Sequence, residues 1–206
     1  VRLQGPEWET LQVLDEGKAF WAGCGVIGID VNVALAPYRH KLGADPASIA
    51  SATMGGIIAD NSAGMCCMVD QNSYHAIQGM RLMLADGTYL DTTDEKSVEA
   101  FRVSHADLLD SLSRLREKVL SKPDVVERIK RKYSIKNTIG YTVNSFVDFE
   151  DPVDILMHLM VGSEGTLGVI TDATVQVHPL PEKRDYRAFL FKDFERGSDA
   201  VRALVQ

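Results

Sequence analysis

Two kinds of residue in this 206-residue chain have types and spacings that could do chemistry. One is a pair of adjacent thiols, Cys66 and Cys67. The other is a set of small-residue segments, "GADPASIASATMGG", "ADNSAGM" and "GSEGTLGVIT". The thiols invite a redox or metal reading. Neighbouring residues across a trans peptide have Cα atoms about 3.8 Å apart, whereas an unstrained disulfide wants roughly 4.4 Å or more. Zinc and iron–sulfur sites want CxxC spacings and further ligands, and neither is present. With Cys24 there are three cysteines, few and odd in number. They fit a reducing compartment, with thiols used as small buried side chains. The sequence therefore predicts free thiols and no metal site.

The small-residue segments let backbone N–H groups approach a ligand with no side chain in the way. A pyrophosphate joining two sugars is a ligand of that kind. The same composition also allows tight helix–sheet packing with no ligand, and both readings stay open at this level. A fourth motif, "GCGVIG" from Gly23 to Gly28, matches G-x-G-x-x-G. The dinucleotide reading needs a long crossover helix and then a strand ending in Asp or Glu. Pro37 cuts the helix short, and "RHKLGADPAS" contains no strand. The expected structure is a glycine turn between a strand and a short helix.

The elements that must position these segments follow from local patterns. "TLQVLDEGKAFWAG" has two apolar runs around Asp15-Glu16-Gly17, a hairpin signal. "GIDVNVALAPY" has helical spacing stopped by Pro37. "MGGIIADNSAG" predicts a short helix. "IQGMRLMLADGTYLDT" predicts a hairpin around Ala85-Asp86-Gly87. From Thr93 to Lys132 the pattern turns helical, with Phe101, Leu108, Leu112, Leu115 and Val119 on one helical face, and Phe101, Leu112 and Leu115 expected to face inward. Ser104 and Asp107 suggest a capping box, and Pro123 the first turn of a second helix. The basic run "RIKRKYSIK" reads as a solvated helix face, with phosphate or membrane contact as the sharper alternative. A helix over Asp151–Met160, a glycine loop and a strand over Val169–Val177 follow. "YRAFLFKDF" suggests the first strand of something further.

A chain of this length can bury roughly 70% of its unfolded surface, so a real core is expected. The net charge of −7 argues against general nucleic-acid binding. No apolar run approaches the roughly 20 residues of a membrane span. No signal-peptide pattern is present. The opening on Val1 suggests a piece of a longer protein.

Taken in order, "DPAS", "TMGG", "NSAGMCC", "QNSY", "LADGT", "IKNTIGY" and "VGSEGTLGVIT" resemble the FAD-binding (PCMH-type) domain of the vanillyl-alcohol-oxidase flavoprotein superfamily. Within it the pattern is similar to FAD-linked 2-hydroxyacid dehydrogenases of the D-lactate dehydrogenase and glycolate oxidase type. Among these it is similar to long bacterial members with iron–sulfur modules elsewhere in the chain. The similarity runs from about Gly23 to Pro181. Asp60 and Met68 stand where the family pattern has Asn and Gly.

The resemblance implies an α+β fold, with a mostly antiparallel sheet flanked by helices and a helical insertion over about 93–132. It implies a partial FAD-binding domain over 1–182 and the start of a substrate or cap domain over 183–206. FAD would meet Asp45, Pro46, Ser48, Ala52 and Thr53 on its isoalloxazine and ribityl side. Gly55 and Gly56 would let the backbone approach, and Asn61, Ser62, Ala63 and Gly64 would add contacts. Glu164, Gly165, Leu167, Gly168, Val169 and Ile170 would hold the adenosine side. The family opens this domain with a glycine-rich loop on the FAD pyrophosphate. None precedes "VRLQGPEW", so the chain alone is expected to be inactive.

The implied reaction is hydride transfer from a 2-hydroxy acid, D-lactate, to the flavin, with a base removing the hydroxyl proton. No catalytic residue is assigned. His75, His158 and Tyr141 are the candidates, and the two histidines read first as structural. Implied partners are the hydroxy acid and an electron acceptor, whether quinone, cytochrome or electron-transfer protein. The implied location is cytoplasmic, or peripheral at the inner face of the membrane. The rival readings are a flavin- or nucleotide-binding module without turnover and a structural domain with no ligand.

Overall fold

The computed structural model describes residues 5–183, 185 and 187–205. The first hairpin forms as its apolar runs require: β1 (Leu11–Leu14) pairs antiparallel with β2 (Ala19–Gly23), Leu14 opposite Ala19. Helix α1 (Gly28–Leu35) ends ahead of Pro37, and β3 (His40–Lys41) follows. Helix α2 (Met54–Ala59) is capped by Thr53, whose Oγ1 accepts from the Gly56 N–H at 3.3 Å. Helix α3 (Ser73–Ala76) is capped by Asn72, which accepts from the His75 N–H at 3.1 Å.

The second hairpin is the one announced by Ala85-Asp86-Gly87. Strand β4 (Ile77–Met83) pairs with β5 (Tyr89–Asp91). Its turn uses the left-handed Gly87 (φ 86°), and Asp86 accepts from the Thr88 N–H at 2.9 Å. Next come α4 (Glu95–Ser104), α5 (Ala106–Leu120) and α6 (Pro123–Tyr133). They are followed by α7 (Ser145–Asp148) and α8 (Pro152–Met160). Strands β6 (Val169–Gln176) and β7 (His178–Pro179) precede α9 (Phe194–Val205).

The main sheet has the order β1-β2-β6-β4-β5, and every neighbouring pair is antiparallel. A second, two-stranded sheet pairs β3 with β7. Alternation divides the two faces of the main sheet. Phe20, Ala22, Leu82, Ala173 and Val175 go into the core with Ile57, Ile58, Ile155 and Met160. The other face carries Gln12, Trp21, Arg81, Asp172 and Thr174. The fold is therefore α+β with the expected antiparallel sheet, flanking helices and helical insertion.

Three local expectations need correction. Helix α5 begins after His105 with no side-chain cap, because the Ser104 hydroxyl donates back to the Ala100 carbonyl at 3.0 Å. The buried face of α5 runs through Leu109 and Leu112, which leaves Leu115 48% exposed instead of inward. Phe101 does reach the core, from α4, stacked on His105 with ring centres 4.4 Å apart. Finally, residues 187–192 form no strand, and the chain instead enters α9. Tyr186, which opened that expected strand, lies outside the described residues.

Candidate functional site

Helix α2 and the loop before β6 come from opposite ends of the sequence and face each other. Two pairs of backbone hydrogen bonds hold them. The Met54 N–H donates to Val26 O at 2.7 Å and the Gly55 N–H to Cys24 O at 3.0 Å, tying α2 to the strand β2 side. The Gly162 N–H donates to Ile58 O at 3.2 Å and the Glu164 N–H to Ala59 O at 2.9 Å, tying the loop to the end of α2. A Cβ on Gly55 would sit 2.8 Å from the Cys24 Cβ, so only glycine allows that approach.

The space left between them is a cavity of about 350 Å³. One wall is Thr53, Gly55, Gly56 and Ala59; the other is Ser163, Glu164, Gly165, Gly168, Val169 and Ile170. The loop wall turns through two left-handed residues, Glu164 (φ 53°) and Gly165 (φ 74°). Nothing lies within 4 Å of where a Gly165 Cβ would be, so its backbone is open to a visitor.

One polar group among the lining residues has no partner. Ser163 is 2% exposed, yet its Oγ has no hydrogen-bond partner. A buried unpaired hydroxyl carries a desolvation cost that a ligand atom can relieve. At the rim, a hydrogen bond to Asp60, together with burial and Asp60's charge, raises the Glu164 carboxyl above its ordinary range. Asp60 in turn accepts from Ser62 Oγ at 2.5 Å. No lysine or arginine is among the described lining residues. Such a set suits neutral hydroxyl and amine groups better than a bare diphosphate.

Of the residues singled out from sequence, Thr53, Gly55, Gly56, Glu164, Gly165, Gly168, Val169 and Ile170 meet at this cavity. Leu167 beside them packs against the core. Ala52 also packs there and leads into Thr53, while Pro46 and Ser48 belong to the turn before it, with Ser48 exposed. Asp45, Asn61, Ser62, Ala63 and Gly64 do not line the cavity. Asn61 is 3% exposed, and its Oδ1 accepts from the Tyr74 N–H at 3.3 Å. A Cβ on Gly64 would fall 1.8 Å from the Asp45 carbonyl oxygen, so this glycine serves close packing. Met68, at the position where glycine was expected, adopts φ 50°, the left-handed conformation glycine would supply freely.

Ser163 and Ala59 were missed from sequence, although Ser163 stands inside the quoted motif between Gly162 and Glu164. Neither histidine lines the cavity. His158 is buried, donates Nδ1–H to the Asp154 carbonyl at 2.8 Å and stacks on Phe149 at 3.9 Å, and burial lowers its pKa. His75 is exposed and bonds the Asn72 side chain at 2.8 Å. The thiols are likewise apart from the cavity lining. Burial, and then the charge of Asp172, push Cys24 up to about 12. Burial also raises Cys67, while Cys66 is exposed.

Residues 2–93 match the family model described as "FAD binding domain". The chain is 24% identical over 183 residues to a D-2-hydroxyglutarate dehydrogenase of Pantoea ananatis, covering 84% of this chain and 17% of that protein. It is 26% identical over 207 residues to a D-lactate dehydrogenase of Archaeoglobus fulgidus, covering 100% of this chain and 34% of that protein. A solved alkyldihydroxyacetonephosphate synthase superposes with a TM-score of 0.56 at 20% identity, over 96% of this chain and 26% of that one. That likeness establishes the fold. The chain thus spans about a sixth to a third of the length of these two curated relatives.

Proposed function

We propose that this chain is a PCMH-type FAD-binding domain of the vanillyl-alcohol-oxidase superfamily and part of an FAD-dependent oxidoreductase acting on a 2-hydroxy acid. One observation carries this reading. Two motifs more than a hundred residues apart close on a single cavity, and one of its lining residues, Ser163, has a buried hydroxyl with no partner. A volume of about 350 Å³ lies at the small end of the roughly 300–1,000 Å³ of small-molecule sites. It fits part of a dinucleotide. When bound, FAD supplies the hydride acceptor.

The chain's own residues bind and orient. Ser163 Oγ donates to a polar ligand atom in the cavity. Glu164, backed by Asp60, exchanges hydrogen bonds with sugar hydroxyls on the adenosine side. Gly56 and Gly165 keep the approach free of side chains. Asp45, Asn61, Ser62, Ala63 and Gly64 support the wall from inside, and the Pro46–Ala52 turn extends it beyond Thr53. His75 and His158 hydrogen-bond to Asn72 and Asp154, away from the cavity lining, so neither is assigned as the proton-accepting base.

The acid we propose is D-lactate, supported by the match over the whole chain to a relative named for it. D-2-Hydroxyglutarate is the second reading, supported by the Pantoea relative. No lysine or arginine is among the described lining residues, and we assign the pyrophosphate to residues outside them. The polypeptide 1–206 by itself would then bind FAD weakly and show no turnover. Residues 183–206 would begin the next domain, since α9 exposes Phe194, Val201 and Leu204. Iron–sulfur modules and a quinone, cytochrome or protein electron acceptor complete the proposal for the intact protein. So does a cytoplasmic or peripheral inner-membrane location. No helix among the described residues is long and apolar enough to cross a membrane.

The test is anaerobic bleaching of the flavin in the intact protein by D-lactate, D-2-hydroxyglutarate and glycolate in turn. Bleaching by D-lactate at the lowest concentration is expected. Bleaching only by another of the three would move the substrate; bleaching by none would reject the 2-hydroxy acid class.

A further inference from the structure

We infer that Tyr141 is a positioning residue that latches the 163–166 turn over the cavity, and that Tyr133 sets the latch. The inference rests on the FAD reading for its consequence, but the latch itself is a matter of hydrogen bonds. The turn holds Glu164 and Gly165 in left-handed backbone. A non-glycine residue stays in that region only when its surroundings over-determine it. Thr166 closes the turn: its N–H donates to Ser163 O at 3.0 Å and its hydroxyl donates to the same oxygen at 2.6 Å. With that hydroxyl proton committed, Thr166 Oγ1 can only accept from Tyr141, whose OH lies 2.7 Å away. The chain of donation therefore runs from Tyr141 through Thr166 to the carbonyl of Ser163, the lining residue whose buried Oγ is unpaired.

Tyr141 is 42% exposed, so burial alone does not fix its ring. Its backbone is fixed on both sides instead. The Tyr133 hydroxyl, at the end of α6, donates to Tyr141 O at 2.7 Å. The next residue, Thr142, is 1% exposed and donates its hydroxyl to His158 O at 2.6 Å and lies 2.9 Å from Val161 O. Gly140 O lies 3.1 Å from where a Gly162 Cβ would be. Residues 140–142 thus run along residues 158–163 and end with the phenol on the turn. The helical insertion, which takes no part in the cavity wall, reaches the site through this contact.

Amide hydrogen exchange without flavin, and FAD dissociation from the intact protein, test this on Tyr141→Phe, Tyr133→Phe and Thr166→Val. Tyr89→Phe, on an exposed site of β5, is the control. Losing one neutral hydrogen bond corresponds to about a two- to tenfold effect. Tyr141→Phe and Thr166→Val should speed exchange of the 163–167 amides by about that factor and raise the FAD dissociation constant in parallel. Tyr133→Phe should do the same to a smaller extent, and the control should do neither. Unchanged exchange in Tyr141→Phe would overturn the latch. Faster exchange with unchanged FAD affinity would overturn its positioning role. If the unaltered intact protein bound no FAD, the cofactor reading would fall, while exchange would still decide the latch.

Discussion

Among the described residues, a cavity on the open face of the sheet and the one beside α2 are of similar size, and they differ in whether their polar groups are already spoken for. The larger, about 420 Å³, opens on the uncovered face of the sheet around Trp21, Arg81, Asp91 and Asp172. There Asp172 accepts from Trp21 Nε1 at 2.8 Å, from Arg81 Nε at 2.6 Å and from the Thr171 hydroxyl at 2.9 Å. The Arg81 guanidinium also lies over the Trp21 ring, 5.1 Å from its centre. This network is internally satisfied, and it clips β2, β4 and β6 together. The smaller cavity, beside α2, is lined by a residue with an unpaired buried hydroxyl, by open glycine backbone and by a carboxyl raised above its ordinary range. Size ranks the first higher; unmet bonding capacity points to the second. A ligand site is better recognised by what it leaves unpaired than by its volume.

The largest expected effect belongs to the satisfied cavity. Asp172→Ala strips the acceptor from Trp21 and from a partly exposed arginine, and should lower folding stability by about 2–3 kcal/mol. Chemical denaturation would measure it, and FAD affinity of the folded protein should stay within a factor of two. A large loss of affinity with little loss of stability would reverse the contrast.

Ser163→Ala should behave the opposite way. Removing a hydroxyl that bonds nothing should leave stability within about 0.5 kcal/mol of the parent. FAD affinity should fall about two- to tenfold, by fluorescence titration of the intact protein. A stability loss above 1 kcal/mol would mean that the hydroxyl already has a partner.

The smallest effect is one of pH. The folded chain holds the Glu164 proton more tightly than the ordinary carboxyl value of 4.5. That contribution is therefore fully present below 4.5 and is lost as pH rises through the raised value. Glu164→Gln should flatten the pH dependence of the melting temperature in this mildly acidic window. An unchanged profile would mean that the folded chain does not hold the Glu164 proton more tightly.

The sequence made much of this legible, for identifiable reasons. Both hairpins carry turn chemistry at Asp15-Glu16-Gly17 and Asp86-Gly87, and local geometry decides such turns. Helix α6 announces itself by Pro123 in its first turn. The α5 start was misread because Ser104 has two backbone carbonyls within reach, and its hydroxyl turns back to them. Leu115 was misplaced because its neighbours Leu108, Leu109 and Leu112 offer two overlapping apolar stripes, and tertiary packing selected the one through Leu109. In the site, composition grouped all the glycines together. Only the fold separates Gly165, which faces open space, and Gly56, where a Cβ would meet only the Thr53 hydroxyl at 3.4 Å, from Gly64, which a backbone carbonyl presses against. Ser163 could not be singled out, because an unpaired hydroxyl is a property of three-dimensional neighbours.

Amide hydrogen exchange across the whole chain of the intact protein, with and without FAD, tests the central assignment most directly. The account predicts FAD-dependent protection at Thr53–Gly56 and Ser163–Ile170, with strand positions Trp21, Arg81 and Asp172 unchanged. Protection at those strand positions, with the α2 and 163–170 walls unaffected, would contradict it.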